Sequence, residues 1–186
     1  MFGVIILLLV VSSLPNQEAS SAYDDAEAYE VYAAILPSEW SSRVPNAKQL
    51  IIRRETRSLQ MCLKPSSEEQ ARVGPAIADW VKQNEKKWLL QPKLSFTTPY
   101  QFLETSKIDT FMSHVGWIEF YRQYPESGGI VEFSAVGFNV DKTIAVVYIG
   151  HLCGALCGRG TYHVMEKRDG KWKELEFKGD SCAWIS

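Results

Sequence analysis

Beyond Val4–Val11 the chain carries no further long apolar run, and that run is itself too short to cross a bilayer as a helix. No membrane span is therefore expected in the mature protein. A basic surplus is also missing: 20 Lys and Arg against 22 Asp and Glu give a formal net charge of −2. That balance disfavours nucleic acid and anionic lipid as partners, and the short patch Arg53-Arg54 reads more simply as a solvated strand end. There is no Cys-x-x-Cys pair, no nucleophile-elbow motif around Ser134 and no pair of carboxylates with glycosidase character. Gly150, Gly154, Gly158 and Gly160 lead into Thr161-Tyr-His-Val, a strand-like segment, whereas a phosphate loop leads into a helix bearing Lys and Ser or Thr. No linker, low-complexity tract or internal repeat divides the chain. With no complete catalytic set, no enzyme activity and no cofactor are implied.

What is present points to export. Val4–Val11 is followed by Pro15 and by small residues ending at Ser20-Ser-Ala22, the grammar of a secretory signal, although no Lys or Arg precedes the run. Residues 1–22 are expected to be a signal peptide. They contain one charge, Glu18, and no cysteine near the junction that would accept a lipid anchor. Residues 23–186 then form one domain in the periplasm or outside the cell. With 46% of residues apolar and 12% aromatic, the chain has ample material for a core.

The first half patterns as helices with interruptions. Asp24 or Asp25 caps a run carrying Tyr29, Tyr32, Ala33 and Leu36 on one face. Lys48–Thr56 reads as a strand through Leu50-Ile-Ile52. Ser66-Ser-Glu-Glu69 has capping-box spacing ahead of Ile77, Trp80 and Val81, with Gly74-Pro75 either kinking that helix or opening it. Leu94 and Phe96 alternate as in a short strand, and residues 106–112 and 117–124 read as short helices. In the second of these, Trp117, Phe120, Tyr121 and Tyr124 form a stripe at helical spacing, a core feature before a ligand platform.

From Ile130 the periodicity becomes that of strands. Ile130–Phe138 leads to a turn at residues 139–142, and Thr143–Ile149 is apolar on both faces, as in a central strand. Asp169-Gly170 joins strands at residues 161–167 and 172–177 as a tight hairpin, and a last strand runs through residues 182–185. The expected fold is α+β, an antiparallel meander in the carboxyl half with helices from the amino half covering one face.

Val136-Gly-Phe-Asn139, His151-x-Cys-Gly-x-Leu-Cys-Gly-x-Gly160 and Trp184-Ile-Ser186 occur in order, with an Asp-Gly-Lys-Trp hairpin between the last two. Over roughly residues 116–186 the chain thereby resembles a family of uncharacterised exported bacterial proteins. The resemblance implies export and a bacterial source, and it carries over no catalytic or binding residue.

The richest segment chemically is residues 151–160, with two thiols, an imidazole and several glycines. Four cysteines in an exported chain read first as two disulfides. Cys153 with Cys157 would leave Cys62 with Cys182, while a Cys157–Cys182 link stays open. A sharper reading gathers His151, Cys153, Cys157 and His163 into a His₂Cys₂ metal set. Thiol chemistry is a third, with Arg159 as the nearby fixed cation. A non-catalytic binding or structural domain of unknown ligand and partner is the expected function. The alternative is a metal-binding or thiol-based enzyme centred on that cluster. Amino-terminal sequencing of protein recovered outside the cytoplasm should find a chain beginning at or near Tyr23; an intact Met1 on a soluble cytoplasmic product would contradict export.

Overall fold

The computed structural model describes residues 20–44 and 46–186. The expected leader lies outside the described residues except for its last three positions. Of these, Ser21 and Ala22 join Tyr23 in a short strand, β1 (Ser21–Tyr23), which pairs in parallel with β3 (Trp88–Leu90). Cleavage after Ala22 would leave only Tyr23 of that strand.

The protein folds as an α+β domain around an eight-stranded, largely antiparallel sheet. In spatial order the strands are β4 (Tyr100–Leu103), β2 (Gln49–Arg53), β5 (Ser127–Phe133), β7 (Ile144–Gly154), β8 (Cys157–Arg168) and β10 (Ala183–Ile185). β6 (Gly137–Phe138) continues along β7 beyond β5, and β9 (Lys171–Glu174) pairs with the other end of β8. Only β2 runs parallel to its neighbours, β4 and β5. The carboxyl-half meander is thus present, extended by strands from the amino half.

Strand alternation assigns side chains to two faces. Leu50, Ile52, Val131, Phe133, Ala145, Val147 and Ile149 pack on one face with Tyr29, Tyr32, Ile35 and Leu36 of α1 (Ala26–Arg43). On the other face are two separate clusters. Ile144, Val146 and Tyr148 pack with Val73, Ala76 and Trp80 of α2 (Gln70–Gln83), while Ile51 and Ile130 pack with α3 (Thr105–Phe111) and α4 (His114–Gln123). Helical cover therefore extends to both faces, because β2, β5 and β7 are apolar on both.

Local chemistry explains the elements. The Asp25 carboxylate accepts the Glu27 backbone N–H at 3.0 Å ahead of α1. The Glu69 carboxylate accepts the Ser66 backbone N–H at 3.4 Å, half of the capping box, and α2 starts at Gln70. Pro75 sits inside α2 rather than opening it. Val81 is a correction: it is 46% exposed, since the buried stripe of α2 runs Val73, Ala76, Trp80 and leaves position 81 at its edge. The strand expected at Leu94 and Phe96 is not formed. Residues 91–99 are irregular although Leu94 is buried, because Pro92 and Pro99 lack the N–H a ladder needs.

Ile130–Phe138 is likewise two strands. Between them the Ser134 hydroxyl accepts the Tyr148 N–H at 2.9 Å, the Asn84 side chain accepts the Ala135 N–H at 2.9 Å, and the Tyr23 hydroxyl accepts the Val136 N–H at 2.9 Å. Side chains thus replace ladder bonds at the break. At the expected Asp-Gly hairpin, Asp169 (φ 52°) and Gly170 (φ 73°) form the two-residue turn, although β9 ends at Glu174, short of residue 177.

In α4 the aromatic stripe is core: Trp117, Phe120 and Tyr124 are buried and Tyr121 is half-buried. Trp117→Ala should destabilise the protein by about 3–5 kcal/mol in denaturant titration. A loss below about 0.5 kcal/mol, the range of surface positions, would show the stripe to be a platform.

Candidate functional site

The segment expected to be a Cys/Gly loop is a strand ladder with one register shift, at Cys153. β7 and β8 pair from Ile144↔Glu166 to Gly154↔Cys157, leaving only Ala155-Leu156 as the hairpin tip. Across that tip Cys153 is bonded to Cys157, with Cα atoms 5.0 Å apart. Cys62 is bonded to Cys182, with Cα atoms 6.1 Å apart, which fastens the irregular strap of residues 56–63 to the residue preceding β10. The Cys157–Cys182 alternative is not the pairing found.

The register separates the histidines. His151 lies opposite Arg159 near the tip, whereas His163 lies opposite Val147, four residues further along β7. His151 is buried, and its Nε2 donates to the Gly128 carbonyl at 2.7 Å, since a carbonyl only accepts. Burial pushes its pKa below the usual histidine range, only partly offset by that bond. His163 Nδ1 donates to Glu174 of β9 at 2.7 Å, which holds the Glu174 carboxyl below its ordinary value against the opposing effect of burial. His163 Nε2 is buried without a hydrogen bond. Arg159 is exposed on the hairpin. The structure therefore joins Cys153 to Cys157 and sets His151 and Arg159 across the ladder from each other, and it leaves His163 apart. Among the described residues no three His, Cys, Asp or Glu side chains converge as metal ligands.

The glycines of this hairpin serve a different arrangement, on the sheet face that carries the α2 cluster and the α3–α4 cluster, in the seam between them. Gly150 and Gly160 are directly paired, and Trp184 of β10 lies opposite Gly160. A Cβ at Gly160 would overlap the Tyr148 hydroxyl and Trp184 Nε1, one at Gly150 would stand 3.0 Å from the Tyr148 hydroxyl, and one at Gly158 would stand 3.0 Å from the Trp184 ring. The missing side chains make a shelf on which Tyr148 and Trp184 lie, joined by a bond from the indole N–H to the phenol oxygen at 2.7 Å. Trp184 remains 38% exposed, whereas Tyr148 is buried.

Beside the shelf is a charge cluster. Arg53 Nε donates to Glu132 Oε1 at 2.6 Å, and their side chains are only 6% and 3% exposed. Arg53 is thus a buried ion-pair partner, not the solvated strand end expected of Arg53-Arg54; Arg54 alone is partly exposed, paired with Glu104. The reason is register: Arg53 shares the face of Ile51, and Glu132 that of Ile130, which puts both in the seam between the two helical clusters. Arg57, on the strap, brings its Nε to 3.4 Å from Glu132 Oε2, charge attraction without hydrogen-bond alignment. Burial raises the Tyr148 pKa, and Glu132 raises it further, while the Trp184 bond and the Arg57 charge oppose.

Sequence reasoning missed this cluster. Its signal was a charged residue ending or interrupting an apolar strand, Arg53 after Leu-Ile-Ile and Glu132 within Ile-Val-Glu-Phe. The Val136–Asn139 motif is structural: Gly137 admits the close approach of α2 at Trp80, and the Asn139 side chain accepts the Thr143 and Ile144 N–H groups in the turn. An open groove of about 600 Å³ beside that motif is lined by Tyr23, Asp25, Asp79, Trp88 and Lys142. Its charged rim is committed internally, Asp25 to Lys142 and Asp79 to the Phe138 N–H. No protein-family model matches the chain, and no curated protein and no solved structure matches it.

Two outcomes follow from the geometry. Loop-closure entropy makes the short Cys153–Cys157 bridge worth about 2 kcal/mol and the Cys62–Cys182 bridge about 5 kcal/mol. Urea titration should therefore find the Cys62→Ser, Cys182→Ser variant clearly less stable than the Cys153→Ser, Cys157→Ser variant; the reverse order would contradict the fastening role of the strap. For His151, the unfolded chain binds the proton more readily than the folded one, because burial lowers the folded pKa. Its contribution is thus complete above about pH 6.5 and is lost as pH falls from there toward the lowered folded value. His151→Asn should flatten stability against pH across that interval, and an unchanged slope would show that His151 is not its source.

Proposed function

We propose that this is an exported, non-catalytic binding domain of bacterial origin, working in the periplasm or outside the cell. Its ligand-facing element is the Trp184 shelf above the glycine seam, not the His/Cys hairpin. The observation that carries this reading is the chemistry of the hairpin itself. Both thiols are consumed in a disulfide, and the two imidazoles are committed to different partners at different places on the sheet. Neither a thiolate nor a nucleophile–base pair is left there. A partly exposed indole held in one orientation is the complementary feature, because a rigid aromatic face binds at little entropic cost. Two disulfides are also compatible with an oxidising compartment.

The alternative, a metal-binding or thiol-based enzyme, is favoured by one observation, the buried Nε2 of His163 without a partner. Thiol mapping and elemental analysis decide between the two on exported protein purified without a metal-affinity tag. The binding-domain reading expects both disulfides intact and no stoichiometric zinc or copper. Free thiols at Cys153 and Cys157 with a bound metal would overturn it and make the hairpin the functional site.

A further inference from the structure

We propose that Arg57 and Trp184 together receive a carboxylate carried on a ring, as in a uronic acid or an aromatic acid. This rests on the reading of the Trp184 shelf as ligand-facing. Two guanidinium groups meet the one carboxylate of Glu132. Arg53 and Glu132 complete a buried pair at 2.6 Å, so their charges cancel within the seam. Arg57 is the second cation on that carboxylate: its Nε is buried 3.4 Å from Glu132 Oε2, while its side chain as a whole is 42% exposed.

The indole N–H of Trp184 is spent on the Tyr148 hydroxyl, so the ring offers its face rather than its polar edge. Tyr148 connects the two groups. Its hydroxyl accepts from Trp184, and it flanks Gly150 together with Glu132: a Cβ there would stand 3.0 Å from the hydroxyl and 3.3 Å from Glu132 Oε2, the oxygen that Arg57 Nε approaches to 3.4 Å. A guanidinium donates two parallel N–H bonds to a carboxylate, and an indole face takes the C–H face of a sugar or the plane of an arene. A ring bearing a carboxylate satisfies both at once. A neutral sugar would leave Arg57 unused, and a small inorganic anion would leave the indole unused.

The Trp184 indole N–H is itself the reporter. The full mature chain labelled with ¹⁵N-tryptophan has six indole signals, and loss of one in Trp184→Phe assigns Trp184. Sodium glucuronate, sodium benzoate, glucose and sodium chloride are then titrated at matched ionic strength. The expected result is a saturable shift of the Trp184 signal with glucuronate or benzoate and none with glucose or chloride. Whichever carboxylate acts identifies the sugar-acid or the aromatic-acid source. Arg57→Gln, with the other indole signals unmoved, should weaken that binding about tenfold or more, and Arg57→Lys should restore part of it. In the wild-type protein, added chloride should compete progressively with the carboxylate.

Equal shifts with glucose, or undiminished binding in Arg57→Gln, would overturn the carboxylate assignment while leaving the shelf as a binding surface. A Trp184 signal that moves with none of the probes, glucose included, overturns the assignment and removes the shelf reading as well.

Discussion

A carboxylate placed on the face of a sheet, away from water, has to be neutralised where it stands, and Glu132 imposes that constraint on this fold. Its side chain is 3% exposed, between one apolar cluster built on α2 and another built on α3 and α4. Leaving such a charge uncompensated is costly, which accounts for the Arg53 partner on the neighbouring strand β2. A pair of that kind contributes little net stability compared with apolar residues of the same volume. Its effect is on specificity: β2 and β5 satisfy the charges in one register only, since a slip of one residue would turn Arg53 to the opposite face.

The seam that holds the pair is also where the hairpin motif and the carboxyl-terminal Trp-Ile-Ser motif meet. Gly150, Gly158 and Gly160 remove side chains from a strip of β7 and β8, and Tyr148 and Trp184 fill that strip. The Cys62–Cys182 bridge bears on the same place, because it ties the strap carrying Arg57 to the residue immediately before β10. The cysteines thus act as fasteners for an aromatic and charged surface. The chemistry that their spacing to His151 and His163 first suggests requires free thiols on one side of the sheet, and the ladder provides neither.

Features governed by local rules were legible in the sequence. The Asp169-Gly170 hairpin, the helix over the Trp117–Tyr124 stripe and the strand through Leu50-Ile-Ile52 each follow from periodicity or turn chemistry within about ten residues. The α+β class followed from the change of periodicity near Ile130. Features set by partners distant in the chain were not. Leu94 and Phe96 alternate because each reaches the core from an irregular segment, and the break at Ser134–Val136 depends on Asn84 and Tyr23. The same limit hid the seam. Gly160 is indistinguishable from a turn glycine until Tyr148 and Trp184 are placed over it. Glu132 in an alternating strand looks solvent-facing until helices are found on both sides of the sheet.

The claim that the hairpin glycines exist to seat Tyr148 and Trp184 is tested most directly by a double-mutant cycle for folding stability. Gly160→Ala is introduced into the wild-type protein and into a Tyr148→Ala, Trp184→Ala background, and all four proteins are unfolded in denaturant. Overpacking of this kind costs about 1–3 kcal/mol where the space is occupied. The account predicts a cost in that range in the wild type that falls below about 0.5 kcal/mol once both rings are gone. An equal cost in the two backgrounds would mean that Gly160 answers to its own backbone and not to the shelf, and the account of the seam would fail.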